Sequence, residues 1–248
     1  MPDGRVMVVR EKKKPHSKID REQRCGRVWL WIAFDPISKL AVNYRVDNQT
    51  LDACRAFFKD LTRRLTNIPL FTSDELGHYM VVLFETYRIS PEIGWDYLPF
   101  SERFRVVNRE LDYGIFHKER RNGRVVGTKQ IVLYGDEKRV FDRIKNSPSK
   151  KINTAFIERF NGTLRLLCAN LHRKSQCFSK DFKYFGYRIA IAMAYYNFVR
   201  PHGTLSKIKG ESYKPTTPAM AKGITDRVLD IKELLGGDSQ FPLWKRGI

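Results

Sequence analysis

The chain has 248 residues, 42% of them hydrophobic, which is enough to build a full core. Lys and Arg number 46 against 27 Asp and Glu, a formal net charge of +19, so a polyanionic partner is expected, nucleic acid before anionic membrane. No apolar run reaches the roughly 18 residues a membrane helix needs and no apolar leader opens the sequence, so the expectation is a cytoplasmic protein with no membrane partner. The four cysteines, Cys25, Cys54, Cys168 and Cys177, contain no CxxC pair and read as reduced thiols, not as a zinc cluster.

In chain order, Val6 to Val9 reads as a strand followed by a basic end, and the polar residues 15 to 25 as a loop. GRVWLWIAFD (26 to 35) is a strong aromatic and branched strand that ends at Asp35-Pro36, a turn signal. LAVNYRV (40 to 46) can return antiparallel across a short connection. Asp47 or Asn48 can cap a helix over about 50 to 66, whose buried stripe is Leu51, Cys54, Phe57, Phe58, Leu61 and Leu65. Ile68 to Thr72 reads as a short central strand with Asp74 just past its end, and 78 to 87 as another helix. The order strand, strand, strand, helix, strand, helix predicts a mixed sheet with helical cover.

Residues 88 to 150 read as a basic insertion. Arg103 to Val107 and Val125 to Leu133 are candidate strands around the basic turn KERRNGR (118 to 124), and RIKNSPSKK (143 to 151) is a connection. The next helix opens at Asn153, a candidate N-cap, and buries Phe156, Phe160, Leu164, Leu167 and Leu171. Glu158, Asn161, Arg165 and His172 fall on its polar face. A long helix is expected from about 182 to 199, ended by Pro201, followed by irregular chain and a small helix over 226 to 235.

Phosphodiester chemistry needs an activated hydroxyl and charge neutralisation, which two divalent ions held by carboxylates from distant parts of a chain can supply. Asp74 and Glu158 suit that role. On the residues alone each has an ordinary alternative: Asp74 as a helix N-cap, Glu158 as a solvated carboxylate, and Asp35 as a turn residue. His78 can contact phosphate or cap the following helix. No nucleotide-binding glycine loop, HExxH or GxSxG elbow occurs.

The stretches VWLWIAFDPISKLAVNYRV (28 to 46), TSDELGHY (72 to 79), TAFIERFNGTLR (154 to 165), FSKDFK (178 to 183), AYYNFVRPHGTL (194 to 205) and TTPAMAKGITD (216 to 226) carry a resemblance. Together they resemble the DDE transposases of insertion elements, the IS1 group and its close relatives, and cover most of residues 1 to 235. The resemblance implies an α/β fold with a ribonuclease-H-like mixed sheet flanked by helices over 1 to 205, and a C-terminal extension with a short helix over 206 to 248. It implies two Mg²⁺ (or Mn²⁺) ions held by an acidic triad, hydrolysis at element ends, and attack of the freed 3′-hydroxyl on target DNA. Position by position the triad falls on Asp3, Asp74 and Glu158, with Gly4 where the family has Glu. The family's TSDGH appears as TSDELGH, with two additional residues before His78. Asn161, Arg165, Asn197 and His202 match polar positions of the family.

Further candidates for DNA contact are Arg159, Lys174 and Arg200, which would hold the phosphate backbone. The partners implied are double-stranded DNA, at element ends and target, and at least a second copy of the chain on DNA. Asp3 stands so near the start that part of the first strand and an N-terminal recognition segment are expected to be missing. The alternative to an enzyme is a catalytically inactive remnant that binds DNA. A ribonuclease H or junction nuclease would share the metal chemistry.

Overall fold

The computed structural model describes residues 5–12, 28–103, 105–122, 124–172, 181–207 and 212–236. Six strands form one mixed sheet: β1 (Arg5–Lys12), β2 (Trp29–Phe34), β3 (Ala41–Asp47), β4 (Leu70–Ser73), β5 (Asp112–Arg121) and β6 (Arg124–Tyr134), in the order β3-β2-β1-β4-β5-β6. β1 runs antiparallel to β2 and parallel to β4; β4 is parallel to β5, and β5 antiparallel to β6. Among the described residues the longer helices are α1 (Leu51–Thr62), α2 (Gly77–Tyr87), α3 (Glu137–Lys145), α4 (Ala155–Leu167) and α5 (Phe182–Ala194). This is the expected mixed α/β arrangement.

The chain divides into two compact units. One holds residues 1–37 and 42–159, the other 38–41 and 160–248, so the division falls inside α4. In the first unit every residue of β2 is buried, as a strand covered on both faces requires. Trp29, Trp31 and Ala33 lie in one cluster with Cys54, Phe57, Phe58 and Leu61 of α1 and Tyr79, Val82, Leu83 and Phe84 of α2. Each large side chain buried here contributes about 1.5–3 kcal/mol of transfer free energy. Thr50 caps α1 by accepting from the Ala53 amide at 3.2 Å, in place of the expected Asp47 or Asn48. A smaller cluster joins Leu70 of β4, Val140 and Ile144 of α3 and Ile152, with Phe116 and Val132 packed against it. Leu70 and Phe71 thus serve different clusters, as the alternation of a strand dictates.

The expected strand at Arg103–Val107 is not formed; Val107 makes only an isolated bridge to Arg88. The strand that pairs with β6 is β5, several residues later. Arg121 pairs with Arg124, so a two-residue loop joins the strands, and its first residue, Asn122, takes the left-handed conformation (φ 48°) such loops require. At the start of β5, buried Asp112 accepts from Arg139 (2.6 Å) and Arg143 (2.6 Å) of α3. Gly135 (φ 95°) stands against that carboxylate so closely that any Cβ would collide with it.

In the second unit Phe160 packs on Tyr196 with ring centroids 4.6 Å apart, and Ile189 and Met193 of α5 are buried. The expected helix over 182 to 199 is α5 followed by a π-helical turn, Tyr195–Val199, closed by the Arg200 amide donating to the Tyr195 carbonyl at 2.9 Å. The expected helix over 226 to 235 shrinks to Ile231–Leu234, capped by Asp230.

Candidate active site

The sheet has one topological switch point, between the parallel neighbours β1 and β4. From β1 the chain moves to β2 on one side; from β4 it moves, through α2, to β5 on the other. Ligands of open α/β sheets bind outside the carboxyl ends of strands at such points. Asp74 is the first residue past the carboxyl end of β4. It does not cap α2, whose N-cap is Leu76 with no side-chain hydrogen bond, so the helix-capping alternative is set aside. Asp74 is half-buried, and its Oδ1 is shielded from solvent.

A hydrogen-bond relay fixes the backbone at this position. Ser73 Oγ donates to the Asp74 carbonyl at 2.6 Å and lies 2.7 Å from the Tyr113 hydroxyl. A serine hydroxyl has one proton, so Tyr113 must donate to Ser73. Tyr113 is buried, and burial pushes its phenol well above the ordinary range, with the Asp74 charge adding in the same direction. It therefore remains a donor throughout the physiological range.

Glu158 lies in the first turn of α4, where a carboxylate is favoured by the free amides and the helix dipole. Its Oε1 accepts from Thr154 Oγ1 at 2.7 Å and sits 3.5 Å from Lys118 Nζ. Lys118 belongs to β5, three residues past Ile115, the partner of Ser73. Phe116 packs with the Leu70 cluster, so alternation puts Lys118 on the Leu70 side of the sheet. The same alternation, carried from Leu70 through Thr72, brings Asp74 to that side. Asp74 and Glu158 therefore belong to one end and one side of the sheet, with Lys118 beside Glu158. Glu75 and His117 form a second contact at the same end.

The other sequence-predicted residues are more dispersed. Asp3 and Lys174 lie outside the described residues. The strand that Asp3 precedes begins where Arg5 pairs with Leu70, while Asp74 follows the other end of β4. His78 is half-buried in the first turn of α2. Arg159 is exposed and Arg165 half-buried on α4. Asn161, expected on the polar face, is only 5% exposed, because the buried stripe of α4 runs through Ile157, Phe160, Asn161, Leu164 and Cys168. Its Oδ1 has no hydrogen-bond partner among the described residues. Arg200 is exposed after the π-turn, and His202 packs edge-on to Tyr196 at 6.5 Å. Asn197 is structural: its amide both donates to the Ala41 carbonyl and accepts from the Ala41 amide, each at 3.0 Å. Asp35 holds its own turn by accepting from the Ile37 amide at 2.8 Å.

Sequence reasoning missed Lys118, Thr154, Ser73 and Tyr113. Lys118 stands in a stretch that reads as a turn, and the others carry no motif of their own. Among the described residues, no three of His, Cys, Asp and Glu stand close enough to share a metal ion. The two carboxylates fit an ion that takes one or two protein carboxylates and completes its shell with water and phosphate oxygens, the habit of Mg²⁺. The cation beside Glu158 is the Lys118 ammonium.

Together these features define an α/β protein with one carboxylate past the end of a parallel strand of its mixed sheet and a second in the first turn of α4. Neither a family model nor a curated protein matches the chain. Among the described residues, no helix is long and apolar enough to cross a membrane.

Proposed function

We propose that the chain is the catalytic core of a DNA transposase, built on a ribonuclease-H-like sheet, that hydrolyses phosphodiester bonds at element ends and joins the freed 3′-hydroxyl to target DNA. The observation that carries this reading is Asp74 directly past β4 at the switch point, on the same side of the sheet as Glu158. The strand order β3-β2-β1-β4-β5, with β4 parallel to β1, supports the ribonuclease-H-like assignment.

In this reading Asp74 and Glu158 hold a divalent ion; β1 begins beside Leu70, at the end of β4 away from Asp74, so Asp3 is not counted among its ligands. Mg²⁺ or Mn²⁺, when bound, would lower the pKa of the attacking hydroxyl and neutralise charge on the phosphate. No side chain acts as a nucleophile. Ser73 and Tyr113 keep the Asp74 backbone in place, and Thr154 orients Glu158. Lys118 neutralises Glu158 in the free protein and is released to a phosphate when DNA arrives. Arg159, Arg165, Arg200 and, outside the described residues, Lys174 supply backbone contacts that position DNA without reading its sequence.

The test is nicking and strand joining on labelled duplex carrying the element ends, with Mg²⁺ or Mn²⁺, and Glu158→Ala in parallel. Metal-dependent products from the wild type, reduced at least about a hundredfold in the variant, are expected. Equal product from both proteins refutes the mechanism. Salt-sensitive binding with no product from either favours the second reading, a DNA-binding remnant. The observation behind that reading is the Lys118 ammonium 3.5 Å from Glu158, which already offsets the charge of a proposed metal ligand.

A further inference from the structure

β4 pairs with β5 only from Leu70 to Ser73, opposite Asp112 to Ile115. From Phe116 to Arg121, β5 pairs with β6 alone. This stretch is a two-stranded ribbon that continues past the end of β4, the end at which Asp74 lies. Six residues of antiparallel strand span about 20 Å.

The ribbon is strongly basic, and charge on a free edge also keeps it from pairing with another strand. Residues 116 to 130 contain five Lys or Arg (Lys118, Arg120, Arg121, Arg124, Lys129) and one acidic residue, Glu119. That acid is already paired, its carboxylate 2.5 Å from Lys129. At the tip, Arg121 and Arg124 are in register across the strands and both are exposed. Like charges directly opposite on a strand pair destabilise it. Among the described residues no acidic side chain pairs with either arginine. A local rule broken without internal compensation marks a functional position. Val125 (48% exposed) and Val126 (57%) place apolar groups beside them, and a register shift between Glu119 and Arg120 twists the arm locally.

We infer that the Phe116–Gln130 ribbon is a DNA-binding arm that lies in the major groove of a B-form duplex, with Arg121 and Arg124 at its tip. A two-stranded ribbon fits the roughly 12 Å major groove of B-DNA, whereas the deep, narrow major groove of A-form RNA does not admit it. Charge complementarity selects the occupant: the tip offers unpaired cations, and the duplex offers one phosphate charge per ~1.7 Å of axis. The inference rests on the DNA reading above for the identity of the polyanion and adds the surface and groove. It makes the arm the element that lays the duplex toward the Asp74 end of the sheet.

The test is fluorescence anisotropy of the full chain with a labelled DNA duplex of about three helical turns over a salt series, comparing wild type with Arg121→Gln/Arg124→Gln. The double variant is expected to bind at least about tenfold more weakly at about 0.1 M salt, with the log–log salt slope smaller by about two, since each phosphate neutralised by a cation adds ~0.9 to it. Its Tm should equal or exceed that of the wild type, because the cross-strand repulsion is relieved. Double-stranded RNA of the same sequence should compete poorly. Unchanged affinity and slope in the double variant overturn the inference, as does equal competition by RNA. A wild type that dimerises through the β6 edge, losing the dimer but not DNA binding on Val125→Thr, also overturns it. The two proposals fail separately: absence of nicking leaves the arm standing, and a neutral arm variant leaves the nicking result standing.

Discussion

Asp112→Ala should be among the most destabilising single substitutions in the first unit. The carboxylate is fully buried, and three guanidinium nitrogens reach it: Arg139 Nη2 (2.6 Å), Arg139 Nε (3.1 Å) and Arg143 Nη1 (2.6 Å). Arg139 also donates to the Arg109 carbonyl at 2.7 Å, so the latch ties α3 both to β5 and to the chain that leads into it. Removing one partner of a buried ion pair costs about 3–5 kcal/mol, because the other partner keeps its desolvation cost. The arginine side chains here are 43% and 14% exposed, so Arg139 can rehydrate, which favours the lower end, about 3 kcal/mol. In a protein of this size a loss of about 1 kcal/mol shifts Tm by about 2–4 °C, so a fall of about 6–12 °C is expected. The assay is thermal and urea unfolding of the full chain, with Arg139→Ala, Arg143→Ala and the double and triple variants completing the cycle. Each Asp112–arginine double variant should be less destabilised than the sum of its two single variants. An Asp112→Ala protein that melts within about 2 °C of wild type would refute the reasoning.

Two further outcomes follow from hydroxyl groups. Tyr113→Phe removes the donor to Ser73 and should cost about 1 kcal/mol, the worth of one buried hydrogen bond. If Asp74 binds the metal, nicking should fall more than that stability loss explains while affinity for DNA holds; parallel losses of both would make Tyr113 merely structural. Burial raises the phenols of Tyr87 (to about 12), Tyr113, Tyr134 and Tyr196 above their usual value of 10. The folded state then holds these protons more tightly than the unfolded chain. That stabilisation is complete below about pH 10 and is lost as pH rises through the folded values. Tm should therefore drop steeply above about pH 10; a Tm that stays level between about pH 9 and about pH 11 would contradict this.

Much of the first unit is legible in the sequence because its elements are locally consistent. WLWIAF reads as a buried strand, and the stripe through Cys54, Phe57, Phe58 and Leu61 as a helix face, and they pack as read. β5 is not legible, for a physical reason. Its sequence, DYGIFHKERR, opens with an Asp, contains a Gly and ends in charges, all poor strand formers. What makes it a strand is non-local: pairing with β4, and the Asp112 latch to α3, which lets a strand begin on a buried carboxylate. The turn within KERRNGR is visible from its residues, but it fixes only where the chain reverses. How far each arm extends is set by partners distant in sequence.

The candidate site divides in the same way. Asp74 is ambiguous between ligand and cap until the helix start is known; α2 begins at Gly77 behind an uncapped Leu76, which leaves the carboxylate to the strand end. Asn161 shows the converse. A 3.6-residue period places it near Glu158 on a polar face, yet α4 rotates its stripe to bury Ile157, Phe160 and Leu164, and Asn161 goes inward with them. An amide in that position constrains α4 and does not reach out to phosphate, whereas Glu158, one residue past the buried Ile157, is left 58% exposed beside Lys118. The polar groups of the candidate site lie at element ends, past β4 and at the start of α4, and along the β5–β6 arm, where the backbone is no longer committed to a core.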